Sequence, residues 1–131
     1  MPYGDRETVD QVLAMPTWAV VGLSTNPRRA AHGVASFLQA RGRRIVPVHP
    51  RAETVHDEQG YASLDEIPFD VDVVDLFVRS ELAGPVVDAA IAKGAKAVWM
   101  QLGVVDRAAA ERAEAAGLEV VMDRCPKIEW R

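Results

Sequence analysis

The feature that most restricts the fold is a series of short valine-rich runs, each followed by a stretch with helical periodicity. The runs are TWAVVG (residues 17–22), RIVPV (44–48), VDVVDLFV (71–78), AKAVWMQL (95–102) and LEVVM (118–122). A strand with one face in water alternates apolar and polar residues. Runs that are mostly continuous instead read as strands covered on both faces, as in a parallel sheet. Between them, Val34, Phe37, Leu38 and Arg41 keep helical spacing ahead of Gly42. Ser80 can cap a helix carrying Val86, Val87, Ala90 and Ile91 that stops at Gly94, and Asp106 can cap an alanine-rich helix that stops at Gly117. SLDE at 63–66 has the spacing of a capping box, cut short by Pro68, and residues 7–13 offer a further helix. The expected architecture is a single α/β domain over residues 1–131. It is a doubly wound three-layer sandwich on a five-stranded parallel sheet of order 3-2-1-4-5. Pro47 cannot donate to a ladder, so its strand is expected to be short or irregular there.

Composition narrows the function classes. The net charge of −4 argues against broad nucleic-acid binding. No apolar run approaches the length of a membrane span, and the polar N-terminus MPYGDRETVDQ lacks a leader's apolar stretch. A single cysteine, Cys125, excludes an internal disulfide and suits a reducing cytoplasm, and no clustered Cys and His suggest a metal.

In an open parallel sheet, ligands bind beyond the carboxyl ends of the strands, where the winding reverses. In the expected order that point falls between the first and fourth strands. The residues following the strands are Gly22 to Arg29, His49 to Arg51, Arg79 with Ser80, and Gln101 to Val104. A dinucleotide loop G-x-G-x-x-G starting at Gly22 would need glycine where Ser24 and Pro27 stand. Gly22 still permits a tight turn, Asn26 can cap, Pro27 suits the first turn of a helix, and that helix would aim its N–H groups at an anion. A NAD site places an acid after the second strand. VHPR has His49 and Arg51 and no acid, which favours a phosphorylated adenosine, either NADP or coenzyme A. Arg79 is placed to reach the same point. Of Arg28 and Arg29, one is expected to meet a phosphate and the other water. Gln101 can hydrogen-bond without adding charge, and Gly103 lets a ligand approach the backbone.

No catalytic set emerges. There is no G-x-S-x-G elbow, and His32, His49 and His56 are scattered. Asp72 and Asp75 fall inside the third run, without the acids at the first strand's end that a receiver pocket needs. Trp18 and Trp99 are expected to pack the sheet faces. Cys125 reads first as a half-buried small residue; the sharper reading is a mixed disulfide with a thiol ligand.

Taken in order, AVVGLSTNPRR, RRIVPVHPR, VDVVDLFVRS, AVWMQLGV and VVMDRCPKIEW resemble the small stand-alone CoA-binding proteins, over roughly residues 12–130. That family is in turn similar to the N-terminal CoA-binding domain of the succinyl-CoA synthetase alpha subunit. The resemblance implies a Rossmann-like domain that binds coenzyme A or an acyl-CoA at the strand ends. By position, Gly22, Leu23, Ser24 and Arg28 would take the diphosphate and neighbouring pantetheine. His49, Pro50 and Arg51 would meet the adenosine and its phosphate. Phe77, Arg79, Gln101, Leu102 and Gly103 would line the rest. His49 departs from the Asn of the family's VNP. The synthetase keeps its phosphorylated histidine in a second domain absent from this pattern, so the resemblance transfers binding rather than ligase chemistry. The expectation is a cytoplasmic, non-catalytic module with a small-molecule CoA ligand and neither nucleic acid nor membrane as partner. An NADP-binding oxidoreductase or redox sensor is the alternative, and a partner-binding protein with a vestigial site is the third reading.

Overall fold

A computed structural model describes residues 3–131. Strands β1 (Thr17–Val21), β2 (Arg44–Val48), β3 (Val73–Leu76), β4 (Ala97–Met100) and β5 (Glu119–Val121) form one parallel sheet. Around it lie α1 (Arg6–Leu13), α2 (Ala30–Ala40), α3 (Ser80–Lys93), α4 (Arg107–Ala115), the short α5 (Pro126–Glu129) and a 3-10 turn at Leu64–Glu66. The α/β Rossmann-like class is as expected.

The strand order is not. The sheet runs β2-β1-β3-β4-β5 rather than 3-2-1-4-5, so the winding reverses between β1 and β3 instead of between the first and fourth strands. Pro47 supplies the physical reason. Arg44 and Val48 direct their backbone groups to β1, where Arg44 N–H donates to Pro16 O and Val48 O accepts from Gly22 N–H. Pro47 faces the other way, and its carbonyl accepts from Tyr61 N–H at 2.9 Å. In a parallel strand a residue's N–H and C=O point to the same side. The missing N–H of Pro47 therefore lies on the outer side, where a strand β3 beside β2 would have needed it. The proline does not shorten or distort β2, which runs unbroken from Arg44 to Val48; it makes β2 an edge.

Each face of the sheet has its own core. Val46, Val74, Leu76, Val98 and Met100 pack with Ala83, Val87 and Ala90 of α3 and Ala109, Ala110 and Ala113 of α4. On the opposite face Trp18, Val20, Ile45, Val73 and Trp99 pack with Val9 and Val12 of α1 and Ala31, Val34, Ala35 and Leu38 of α2. The Trp18 and Trp99 rings lie 5.6 Å apart between centroids, tilted by 49°. Both tryptophans are fully buried, as their apolar surroundings require.

Several ends shift from the sequence reading. Asp72 precedes β3 rather than lying within it; it accepts from Thr17 N–H and pairs with Lys96 at 3.3 Å. Asp106 caps α4 as expected, accepting from Ala109 N–H. Ser80 is not the cap of α3 but its first residue, after Arg79. Its hydroxyl donates to Gly103 O and accepts from Val105 N–H, tying α3 to the loop after β4. Ser63 makes no backbone cap and turns its hydroxyl to Asp65 and Glu66, which leaves only the 3-10 turn.

Candidate functional site at the strand ends

The loops after β1, β2, β3 and β4 and the segment after β5 surround a cavity of about 840 Å³ on the α2 side of the sheet. Its wall includes Gly22, Ser24, Thr25, Asn26 and Arg29 from the first loop and Ala30, Ala31 and Val34 from α2. His49, Arg51 and Glu53 follow β2; Phe77, Val78 and Arg79 follow β3; Gln101 to Val104 follow β4; Cys125 follows β5. A second, largely apolar cavity of about 350 Å³ lies between the 3-10 turn and α3, and shares Gly22, His49 and Val78 with the first.

Gly22 is the pivot between β1 and β3. It takes φ +99, and a Cβ there would overlap the carbonyl oxygen of Phe77. Only glycine meets both conditions at once. Leu23 then turns inward and is fully buried in the α1–α2 core, so its side chain takes no part in the cavity wall. Ser24 lines the wall, and its hydroxyl accepts from Asn26 N–H. The Asn26 side chain accepts from Arg28 N–H, closing a local turn through Pro27 before any helix begins. Pro27 is thus outside α2, which starts at Ala30 with Arg29 as its uncapped N-cap. That slip of three residues exchanges the arginines: Arg29 enters the cavity wall and Arg28 is exposed outside it. Ala30 and Ala31, whose first-turn N–H groups lack intrahelical partners, line the same space.

The second loop is shaped by its backbone. Ala52 adopts φ +51, and its N–H donates to His49 O at 2.7 Å. The His49 ring nitrogen Nδ1 accepts from Arg51 N–H. The kink brings Arg51 and Glu53 to one wall although they flank the turning residue. Glu53 is an acid that the reading of VHPR overlooked, and its carboxylate accepts from the backbone and hydroxyl of Thr25 in the first loop. Farther along, His56 stands over His32 of α2 with ring centroids 4.3 Å apart, and Nε2 meets the His32 carbonyl at 2.9 Å. The loop is thereby seated on the start of α2. Pro50 lines the smaller cavity rather than the larger.

The far end is different in kind. Gln101 is only 6% exposed, and its Oε1 has no hydrogen-bond partner. Leu102 is exposed at the rim, and Gly103 N–H donates to Asp123 at 2.8 Å. One pleat beneath Phe77, on the same face of β3, Asp75 is wholly buried with both carboxyl oxygens unpartnered. It sits between Val20 and Trp99 in the sheet register, and burial pushes its carboxyl well above the usual range. Burial therefore favours the protonated form of Asp75 over the carboxylate.

Of the residues expected at the site, Gly22, Ser24, His49, Arg51, Phe77, Arg79, Gln101, Leu102 and Gly103 meet around the larger cavity and Pro50 borders the smaller. Leu23 and Arg28 do not. Arg29, Glu53 and Cys125 join them. Arg29 belongs to the pair of which one is expected to meet a phosphate, and Cys125 carries the sharper reading of a mixed disulfide with a thiol ligand; Glu53 has no signal beyond proximity to a strand end.

This is a Rossmann-like domain whose cleft places Arg29, Arg51 and the start of α2 toward β1 and β2, and Gln101 to Val104 with Cys125 toward β4 and β5. It matches the family model described as CoA binding domain over residues 16–131, and the chain belongs to that family. It is 36% identical over 110 residues to the uncharacterized protein YneT of Bacillus subtilis (strain 168), across 84% of this chain and 82% of that one. A solved structure of a hypothetical protein from Pyrococcus horikoshii OT3 superposes with a TM-score of 0.90 at 38% identity, covering 95% of this chain and 89% of the other. The dinucleotide forming acetyl-coenzyme A synthetase 1 of Ca. Korarchaeum cryptofilum shares the fold at a TM-score of 0.74 and 20% identity. The match spans 86% of this chain and 27% of that one.

Among the described residues no helix is long and apolar enough to cross a membrane.

Proposed function

We propose that this chain is a binding module for coenzyme A or an acyl-CoA, held along the carboxyl ends of the strands. The observation that carries the reading is the gradient within one cavity. Arg29, Arg51 and the N-terminal N–H groups of α2 cluster toward β1 and β2, whereas Gln101, Leu102, Gly103 and Val104 supply an uncharged wall at β4. Coenzyme A has the matching asymmetry, with phosphates at the adenosine end and a neutral amide-bearing arm that ends in a thiol.

Arg51 and His49 are assigned to the phosphorylated adenosine, and the apolar chamber bordered by Pro50 suits the faces of the base. Ser24, Arg29 and the start of α2 are assigned to the diphosphate. Phe77, Arg79, Gln101, Leu102 and Gly103 line the path of the arm. Gln101 fits an amide partner particularly well, because its unpartnered oxygen gains a donor without any charge being buried.

A thermal-shift panel tests the proposal, since a ligand that binds only the native state adds about 2.7 kcal/mol of stability at a hundredfold excess over Kd. CoA is expected to raise the melting temperature, and dephospho-CoA to raise it less. A shift with NADP and none with CoA would replace this reading with a nicotinamide one. No shift with either would leave the cleft without an adenosine ligand.

A further inference from the structure

We propose that Cys125 is a thiol–disulfide exchange site, at which the sulfur end of the ligand becomes covalently joined to the protein. The proposal rests on the CoA reading of the cleft and concerns what happens at its far end.

Cys125 is the one cysteine of the chain. It is 8% exposed, and the space it borders is the main cavity itself. Its position is fixed from both sides. The preceding residue is clamped to the end of β4: Arg124 N–H donates to Met100 O, and Arg124 O accepts from the Trp99 indole at 2.9 Å. The following residues fold back, with Ile128 and Glu129 N–H both donating to Cys125 O at 3.0 Å. The thiol is therefore held beside the end of the strand that also carries Gln101. That glutamine, nine-tenths buried with an oxygen lacking a partner, is a second and independent sign that this wall is built for a polar neutral ligand.

The sheet sets the distance. Arg51 follows β2 and Cys125 follows β5, which are the two outer strands. Four strand spacings separate them, roughly 19 Å. With its charged head at Arg51 and its arm laid across β1, β3 and β4, a phosphorylated adenosine cofactor directs its sulfur toward Cys125.

The chemistry balances without an outside oxidant when the ligand arrives as its symmetrical disulfide. Cys125, as the thiolate, attacks one sulfur of that disulfide. The ligand's S–S bond breaks and a new S–S bond joins Cys125 Sγ to one half. The other half leaves with the electron pair and takes up a proton, so that Cys125–SH plus RS–SR gives Cys125–S–SR plus RSH. A thiol reductant reverses the step. Such a module would respond to the oxidation state of the ligand pool as well as to its concentration.

The test incubates the intact chain, without reductant, with CoA disulfide or with cystamine, a disulfide that lacks the adenosine, and follows intact mass. The expected result is one added CoA unit, removed by dithiothreitol and slowed by adenosine 3′,5′-bisphosphate. It should form about tenfold or more faster than the cystamine adduct, because the head group positions the sulfur. A chain that stays free, or one that reacts equally with both and ignores the competitor, overturns the proposal. Melting with reduced CoA is measured in parallel. If CoA stabilises the chain but its disulfide leaves Cys125 free, the exchange step alone falls; if CoA gives no shift, the binding reading falls with it.

Discussion

At the β2 end of the cleft, Arg51 and Arg29 stand in a wall with His49, Glu53 and Thr25; at the β4–β5 end, Gln101 to Val104 and Cys125 bring no charge. The first end is built from loops: Ala52 is kinked into the left-handed region, and His56 rests on His32. The second is built from strand termini, with the Trp99 indole and Met100 carbonyl pinning the chain before Cys125. One end can recognise charge at a distance and is screened by salt. The other works through fit and the pairing of buried polar atoms. A ligand that uses both gains affinity from the first and selectivity from the second.

The difference is tested most severely by removing what joins the ends. Gly22→Ala forces a Cβ onto the Phe77 carbonyl at φ +99 and should cost roughly 2–4 kcal/mol of stability, read by urea melts, with CoA binding lost at both ends. Arg51→Ala acts on one end only. CoA affinity should fall by about 1.5–3 kcal/mol and its salt dependence should flatten, whereas the affinity of pantetheine should hold, as titration calorimetry would show.

Asp75 lies under the cleft and sharpens the contrast through pH. Its folded carboxyl keeps a proton that the unfolded chain gives up near the usual carboxylate pKa of about 3.9. Above that pH the folded state binds more protons than the unfolded one. Stability therefore falls as pH rises toward the raised folded value, by about 1.4 kcal/mol per pH unit. Asp75→Asn should flatten this slope and be the more stable protein at neutral pH in denaturant melts across pH. A parallel slope in the variant would show that Asp75 is not its source.

Gln101→Leu should weaken CoA and pantetheine alike by about 1 kcal/mol while leaving melting without ligand unchanged or higher, because an unpartnered oxygen leaves the interior. The smallest effect is expected from Glu53→Gln. Removing the acid beside Arg51 and Thr25 should tighten CoA by less than about 1 kcal/mol at low salt and make no difference at high salt.

The alternation of Val-rich runs with glycine-stopped helices was enough to read the α/β class and to find the strand ends where the cleft forms. The strand order escaped because Pro47 can be accommodated in two ways, by spoiling a strand or by standing at an edge, and only pairing decides which. The first loop misled by three residues. Pro27 suits a helix start, but the Asn26–Arg28 turn consumes it, and so Arg29 rather than Arg28 reaches the cavity wall. Leu23 lay next to cavity residues in sequence, yet a tight turn at Gly22 sends it to the other side. Glu53 and Cys125 reach the wall through a kink at Ala52 and a clamp on Arg124, contacts between parts of the chain that no local pattern encodes. Asp75 was visible as an acid within a strand-like run, but its isolation depends on helices packed over that face.

The two borders of the sheet bear on how copies of this protein meet one another. On the outer side of β2, Pro47 has no hydrogen to offer and its carbonyl is taken by Tyr61; on the outer side of β5, Met122 N–H is taken by the carbonyl of Tyr3. An edge so occupied gives an approaching strand little to extend, which disfavours the end-to-end growth by which parallel sheets aggregate. Crowding and partial unfolding thus meet a sheet with backbone groups at both margins already engaged.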